Sequence, residues 1–101
     1  METPYYAVIF SSVRTEGDNG YAEMAERMEE LARIQHGYIG FKSARAEIGI
    51  SVSYWRTLED ISAWQKNAEH LIAQQKGKEL WYNTYRVRIC KVELEYAMPP
   101  A

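Results

Sequence analysis

The stretch SVSYWRTLEDISAWQKNAEH, Ser51–His70, decides the fold. An alternating strand ends in Tyr54-Trp55, Arg56-Thr57 breaks it, and an amphipathic helix begins at once. That helix, over residues 58–75, carries Leu58, Ile61, Trp64, Ala68, Leu71 and Ile72 at three- and four-residue steps. Thr57 is placed to cap it, and Glu59 and Asp60 suit the positive end of its dipole. A strand that turns straight into a Trp-bearing helix must pack that helix on the sheet it leaves.

Working outward, residues 48–55 form the third of four predicted strands. Upstream, Tyr38–Arg45 reads as the second, joined to the third by Ala46-Glu47 in a short hairpin link. Tyr5–Arg14 alternates as the first. The turn cluster TEGDNG (Thr15–Gly20) follows, with Asp18 or Asn19 as cap for a helix over residues 21–34. Met24, Met28, Leu31 and Ala32 line the buried stripe of that helix, and Gly37 suits the turn that ends it. Downstream, residues 82–95 read as the fourth strand. The order β-α-β-β-α-β predicts an α+β, ferredoxin-like domain over residues 1–101, with a four-stranded antiparallel sheet and both helices on one face.

Helices on one face leave the other open. Ile48, Ile50, Val52 and Tyr54 share one side of the third strand, and the first strand is apolar on both sides. A monomer would expose a large apolar patch, so a two-fold homodimer by sheet-on-sheet packing is expected. The net charge of −2 supplies no basic field for nucleic acid. One cysteine, Cys90, excludes an intramolecular disulfide and suits a reducing compartment. No apolar run reaches the roughly 20 residues of a membrane span. METPYYAVIF lacks the basic and apolar segments of a signal peptide, so a cytoplasmic protein is expected.

Histidines 36 and 70 have no cysteine partners or zinc spacing, so no metal site is expected. His36 reads as a helix C-terminal group favouring the dipole. Three Trp and eight Tyr are the richest resource for a site. Trp64 reads as a core residue that can also wall a pocket between helix and sheet. Asn67 and Gln74 flank its shoulder of the helix as amide hydrogen-bonders. His70 falls opposite the stripe and reads as a surface group that only an unexpected turn of the helix or a subunit contact would bring into a site. Ser43 and Arg45 share the Ile39/Phe41 face of the second strand. Trp81 and Tyr85, with Tyr82, are placed either to close the pocket mouth or to pack the dimer.

The segments GYIGFKSAR (Gly37–Arg45), SVSYWRTLEDISAW (Ser51–Trp64), NAEHLIAQ (Asn67–Gln74) and WYNTYRVRICKVELEY (Trp81–Tyr96) resemble the antibiotic biosynthesis monooxygenase superfamily, the dimeric α+β-barrel proteins. The resemblance implies a ferredoxin-like protomer, a partner sheet, and a pocket between sheet and helices. It implies cofactor-independent monooxygenation of a small aromatic or polycyclic compound, in which the deprotonated substrate itself supplies electrons to dioxygen. Such chemistry needs a dry aromatic pocket and donors to an enolate-like anion, places that Trp64, Tyr54, Ser43 and Gln74 can take. A non-catalytic ligand-binding or stress-response dimer is the alternative on the same scaffold. Haem binding is a third reading. The Trp55-to-Trp64 spacing is similar to that of the haem-degrading members, but Gln74 stands where they carry histidine. Phe10 or Ser11 stands where they carry asparagine.

Overall fold

A computed structural model describes residues 2–74 and 81–99, with the side chains of 70–74 outside the description. Its elements are β1 (Tyr5–Arg14), α1 (Tyr21–Arg33), β2 (Tyr38–Arg45), β3 (Gly49–Trp55), α2 (Leu58–Gln74) and β4 (Tyr82–Val92). The strands form one antiparallel sheet in the order β2-β3-β1-β4, as the ferredoxin-like topology requires. β4 stops three residues short of its expected end. The expected last residue of α2, Gln75, lies outside the described residues. Among the described residues no helix is long and apolar enough to cross a membrane.

Local chemistry explains both helix starts. The Asp18 carboxylate accepts from the backbone N–H of Gly20 (3.0 Å) and of Ala22 (3.1 Å), so Asp18 rather than Asn19 satisfies the open donors of α1. Thr57 Oγ1 accepts from Asp60 N–H at 3.0 Å and donates to the Asp60 carboxylate at 2.8 Å, a reciprocal cap for α2.

Asp60 also ties the two halves of the chain. Its other oxygen meets His36 Nδ1 at 2.7 Å, so His36 pairs across to α2 instead of only closing α1. Gly37 makes that approach possible. Its φ of +82° favours glycine, and a Cβ there would lie 1.9 Å from an Asp60 carboxylate oxygen.

Two strand irregularities set which residues face the helices. Tyr38 pairs with Trp55 and Gly40 with Tyr54, so Ile39 is an extra residue in β2. Tyr38 therefore shares a face with Phe41, Ser43 and Arg45, and Ile39 leaves the face that strict alternation gives it. In β4, Thr84 pairs with Val13 and Tyr82 with Arg14, making Asn83 the extra residue. Its amide donates to Arg14 C=O at 3.2 Å. Tyr82 and Tyr85, three apart in sequence, thus point the same way.

The helix-facing side of β3 is Gly49, Ser51, Ser53 and Trp55, opposite Ser12, Phe10, Val8 and Tyr6 of β1. The core gathers at the Trp55 end, where Val8, Ala32, Trp55, Ile61 and Trp64 are buried together. Trp55 is wholly buried and its ring lies nearly parallel to Trp64, at 5.7 Å and 24°. Its indole N–H donates to Ser53 Oγ at 2.8 Å. Leu58, expected in the core stripe of α2, is half exposed instead.

Replacing Ser53 by Ala orphans a buried indole donor and should cost about 1–3 kcal/mol. Ser51→Ala, one pair along the same row, should cost less than about 0.5 kcal/mol. Denaturant titration of both variants checks the difference. The His36–Asp60 pair makes a pH prediction. The hydrogen bond to Asp60 raises the His36 pKa above 6.5, and the bond from His36 lowers the Asp60 pKa below 3.8. The histidine contribution is complete below pH 6.5 and fades as pH rises through the raised value; the aspartate contribution is complete above pH 3.8 and fades as pH falls through the lowered value. Melting temperature should therefore fall between about pH 6 and pH 8, and His36→Gln should flatten that fall.

Candidate functional site

A cavity of about 600 Å³ lies between the sheet and both helices, beyond the tryptophan pair. Its floor is Val8 and Phe10 of β1, Phe41 and Ser43 of β2, Ser51 and Ser53 of β3, and Tyr82, Tyr85 and Val87 of β4. Its roof is the Met24–Met28 side of α1 and Trp64, Gln65, Ala68 and Glu69 of α2. Methionine and aromatic side chains make an adaptable apolar wall. Tyr85 and Val87 each keep about two-fifths of their surface exposed, which puts open edges of the site at β4.

The β4 side of the floor is an aromatic cluster. The Phe10 ring stacks on Tyr85 at 5.5 Å and 25°, and meets Tyr82 edge-on at 5.3 Å. Tyr82 stands at 90° to Tyr21, which opens α1, with centroids 5.8 Å apart. Burial, chiefly, together with the charge and hydrogen bond of Tyr21, pushes the Tyr82 hydroxyl well above the ordinary tyrosine value; Arg45 and Arg14 oppose that shift. Tyr82 therefore stays protonated at neutral pH and offers a hydrogen-bond donor.

The structure brings Trp64, Ser43 and Tyr85 of the sequence-derived set to the cavity. Trp64 serves both roles assigned to it, with one side in the core and another on the cavity. Tyr54 does not reach it. Trp55 occupies the helix face, so alternation sends Tyr54 to the opposite side of the sheet, where its ring meets Tyr5 at 6.0 Å. Asn67 is also displaced: its amide donates to Gln35 Oε1 (3.1 Å) and Ala63 C=O (3.2 Å), because the cavity borders the Gln65/Glu69 shoulder of α2. Trp81 is buried beyond the end of β1, and its indole N–H donates to Asn19 C=O at 2.9 Å. It neither closes the pocket mouth nor lies exposed for a partner. The side chains of His70 and Gln74 lie outside the described residues.

Tyr82, which the sequence places with Trp81 and Tyr85 at the pocket mouth or the dimer, lines the cavity, and Ser51, Ser53 and Tyr21 are cavity residues that the sequence reading left out. A signal for the serines was available. A row of glycine and serines on the inner face of a central strand leaves volume unfilled, which suits a cavity better than a packed core. Among the described residues no group of three His, Cys, Asp or Glu side chains gathers in a metal-binding arrangement.

No family model matches the sequence. An uncharacterised Bacillus subtilis protein, YqjZ, is 50% identical over 94 residues, spanning 91% of this chain and 82% of that one. Solved structures share the architecture at low identity. A variant of SnoaB, a cofactor-independent oxygenase from Streptomyces nogalater, superposes with a TM-score of 0.73 at 8% identity, covering 98% of this chain and 100% of that one. A proposed antibiotic biosynthesis monooxygenase from Bordetella bronchiseptica gives 0.64 at 16% identity, covering 91% and 100%. The identity to YqjZ over most of both chains establishes kinship, and the superpositions establish the scaffold: this chain belongs to one family with YqjZ and has the fold of the antibiotic biosynthesis monooxygenases.

Proposed function

We propose that this protein is a cofactor-independent monooxygenase that takes a small, flat aromatic or polycyclic phenol into the cavity. The observation that carries the reading is the cavity: about 600 Å³, walled by Trp64, Phe10, Phe41, Tyr82 and Tyr85, on a scaffold it shares with a cofactor-independent oxygenase. A volume of that size suits a two- or three-ring compound. The chemistry balances without a protein-bound redox group. A methylene carbon activated by a neighbouring phenol or carbonyl loses a proton, and its carbanion reduces dioxygen. The resulting hydroperoxide loses water to leave a carbonyl. One methylene group and one dioxygen thus give one carbonyl group and one water, with the substrate carbon as the sole reductant. The chain would contribute shape, exclusion of water, and donors to the developing oxyanion. Tyr82, Ser43 and Ser51 are such donors. Glu26, Glu29 and Glu69 are carboxylates on the helix side of the same space.

A second reading, a ligand-binding dimer without turnover, draws on the protonated Tyr82, which suits it to holding an oxygen more than to removing a proton. Either reading carries a homodimer. The side of the sheet away from the helices presents Ile9, Ile50, Val52 and Tyr54, and Ile50 is 48% exposed. Packing that face on a second copy would cover it.

Aerobic and anaerobic incubation with anthrones, which carry such a methylene group, tests the activity. Oxygen-dependent quinone formation above background is expected, and Trp64→Phe should lower its rate about tenfold by loosening the wall that positions the substrate. Tight binding of the same compounds with no turnover would transfer support to the second reading. Sedimentation should give a dimer, and Ile50→Lys should shift it toward monomer.

A further inference from the structure

The Tyr21/Tyr82 end of the cavity differs from the rest of its wall. Two arginines converge there from opposite directions. The Arg14 guanidinium lies 3.6 Å from the centre of the Tyr21 ring, held by Nε donating to Trp81 C=O (3.4 Å) and Nη2 donating to the carbonyls of Gly17 (3.1 Å) and Asp18 (3.2 Å). Arg45 arrives from the far edge of the sheet. It starts on edge strand β2 and crosses β3 to reach β1, where Nη2 donates to the buried hydroxyl of Ser12 at 2.6 Å and Nη1 to Ser12 C=O at 3.4 Å. Its guanidinium carbon stands 5.8 Å from the Tyr21 ring.

The crossing requires Gly49. Arg45, Gly49 and Ser12 form one cross-strand row. A Cβ on Gly49 would fall 2.1 Å from the Arg45 guanidinium carbon, so the absence of a side chain there is what lets the arginine lie flat across the strand.

Among the described residues, the partners of both guanidiniums are neutral: backbone carbonyls, one serine hydroxyl, and a phenol ring face. Two positive charges thus stand behind Tyr21 and Tyr82, whose rings meet edge-on at 5.8 Å and both line the cavity. Of the carboxylates that line it, Glu26 lies about 7.5 Å and Glu29 about 12 Å from Tyr21 by helical rise. Phenol groups and two cations thus gather at one end of the cavity.

We propose that this end is an oxyanion subsite: Tyr21 and Tyr82 donate to an ionised oxygen at the edge of a flat aromatic ligand, with Arg45 and Arg14 supplying the compensating charge. The ligand class is then an aromatic phenolate, enolate or carboxylate in preference to a neutral polycycle. This rests on the reading of the cavity as an aromatic site and adds its polarity. Arg45 is a specificity residue acting through charge, and Gly49 positions it.

A matched probe pair tests the subsite. 1-Anilinonaphthalene-8-sulfonate and N-phenyl-1-naphthylamine share an aromatic skeleton and differ by one anionic group. Fluorescence titration of the intact protein should show the sulfonate binding about fivefold or more tighter, the scale of one partly exposed charge contact. Arg45→Gln should abolish that preference while leaving the neutral probe unchanged. Gly49→Ala keeps the arginine but displaces it from its row, and should lower the preference in the same way. Retained affinity for the neutral probe shows that each variant is folded. Equal affinity for the two probes in the parent protein, or a preference that survives Arg45→Gln, would overturn the subsite and leave the aromatic cavity standing. Failure of both probes to bind would overturn the cavity reading as well.

Discussion

The contact on which the rest of the structure depends is the stack of Trp55 on Trp64. One ring belongs to the last residue of β3, the other to the second turn of the helix that follows, so the pair fixes how α2 leaves and returns to the sheet. Tyr38 meets Trp55 edge-on from β2, which extends the same constraint to the edge strand. Hydrophobic filling is complete on that side. On the far side of Trp64 the sheet carries serines and the helices methionines, and volume remains. The division between core and cavity is set by where large rings end and small polar side chains begin.

That division inverts the usual reading of β3. Its apolar row, Ile50, Val52 and Tyr54, faces away from the helices, and its small polar row faces toward them. An interior serine is tolerable where it has a partner or borders open space; Ser53 has both, accepting from Trp55 while lining the cavity. An exterior isoleucine is tolerable where something else covers it. The two rows are physically linked, because a period of two forces the apolar residues outward once the serines turn inward.

Much of this was legible in the chain. The element order, both helix starts and the limits of β1 and β2 follow from alternation, capping residues and turn clusters, and they stand nearly as read. Trp64 was legible as both core and wall, since its stripe contains residues of each kind. The faces of β2 and β4 were not, because Ile39 and Asn83 are inserted residues and no local composition marks a bulge. Tyr54 was misplaced for a related reason. Tyr54 ends the apolar row of β3, and whether that row or the small polar row ending in Trp55 meets the helices depends on a helix position that only tertiary packing supplies. Asn67 was lost to Gln35, a contact between helices that periodicity along one helix does not contain. Arg45 was legible as a neighbour of Ser43 on β2, but its reach was not, because that depends on the missing side chain of Gly49 on another strand.

The bulge at Asn83 has a consequence for how relatives are compared. The side of the sheet on which Tyr82 lies is set by the number of residues between it and Tyr85, as much as by its identity. A homologue with every cavity side chain preserved, but one residue fewer there, would turn that phenol to the opposite surface and present a different site. Conversely, an unrelated residue at 82 in a chain of the same spacing would still face the ligand. Correspondence between functional residues in this fold is therefore a matter of strand register, and a one-residue gap near the start of the last strand carries more information about specificity than most substitutions do.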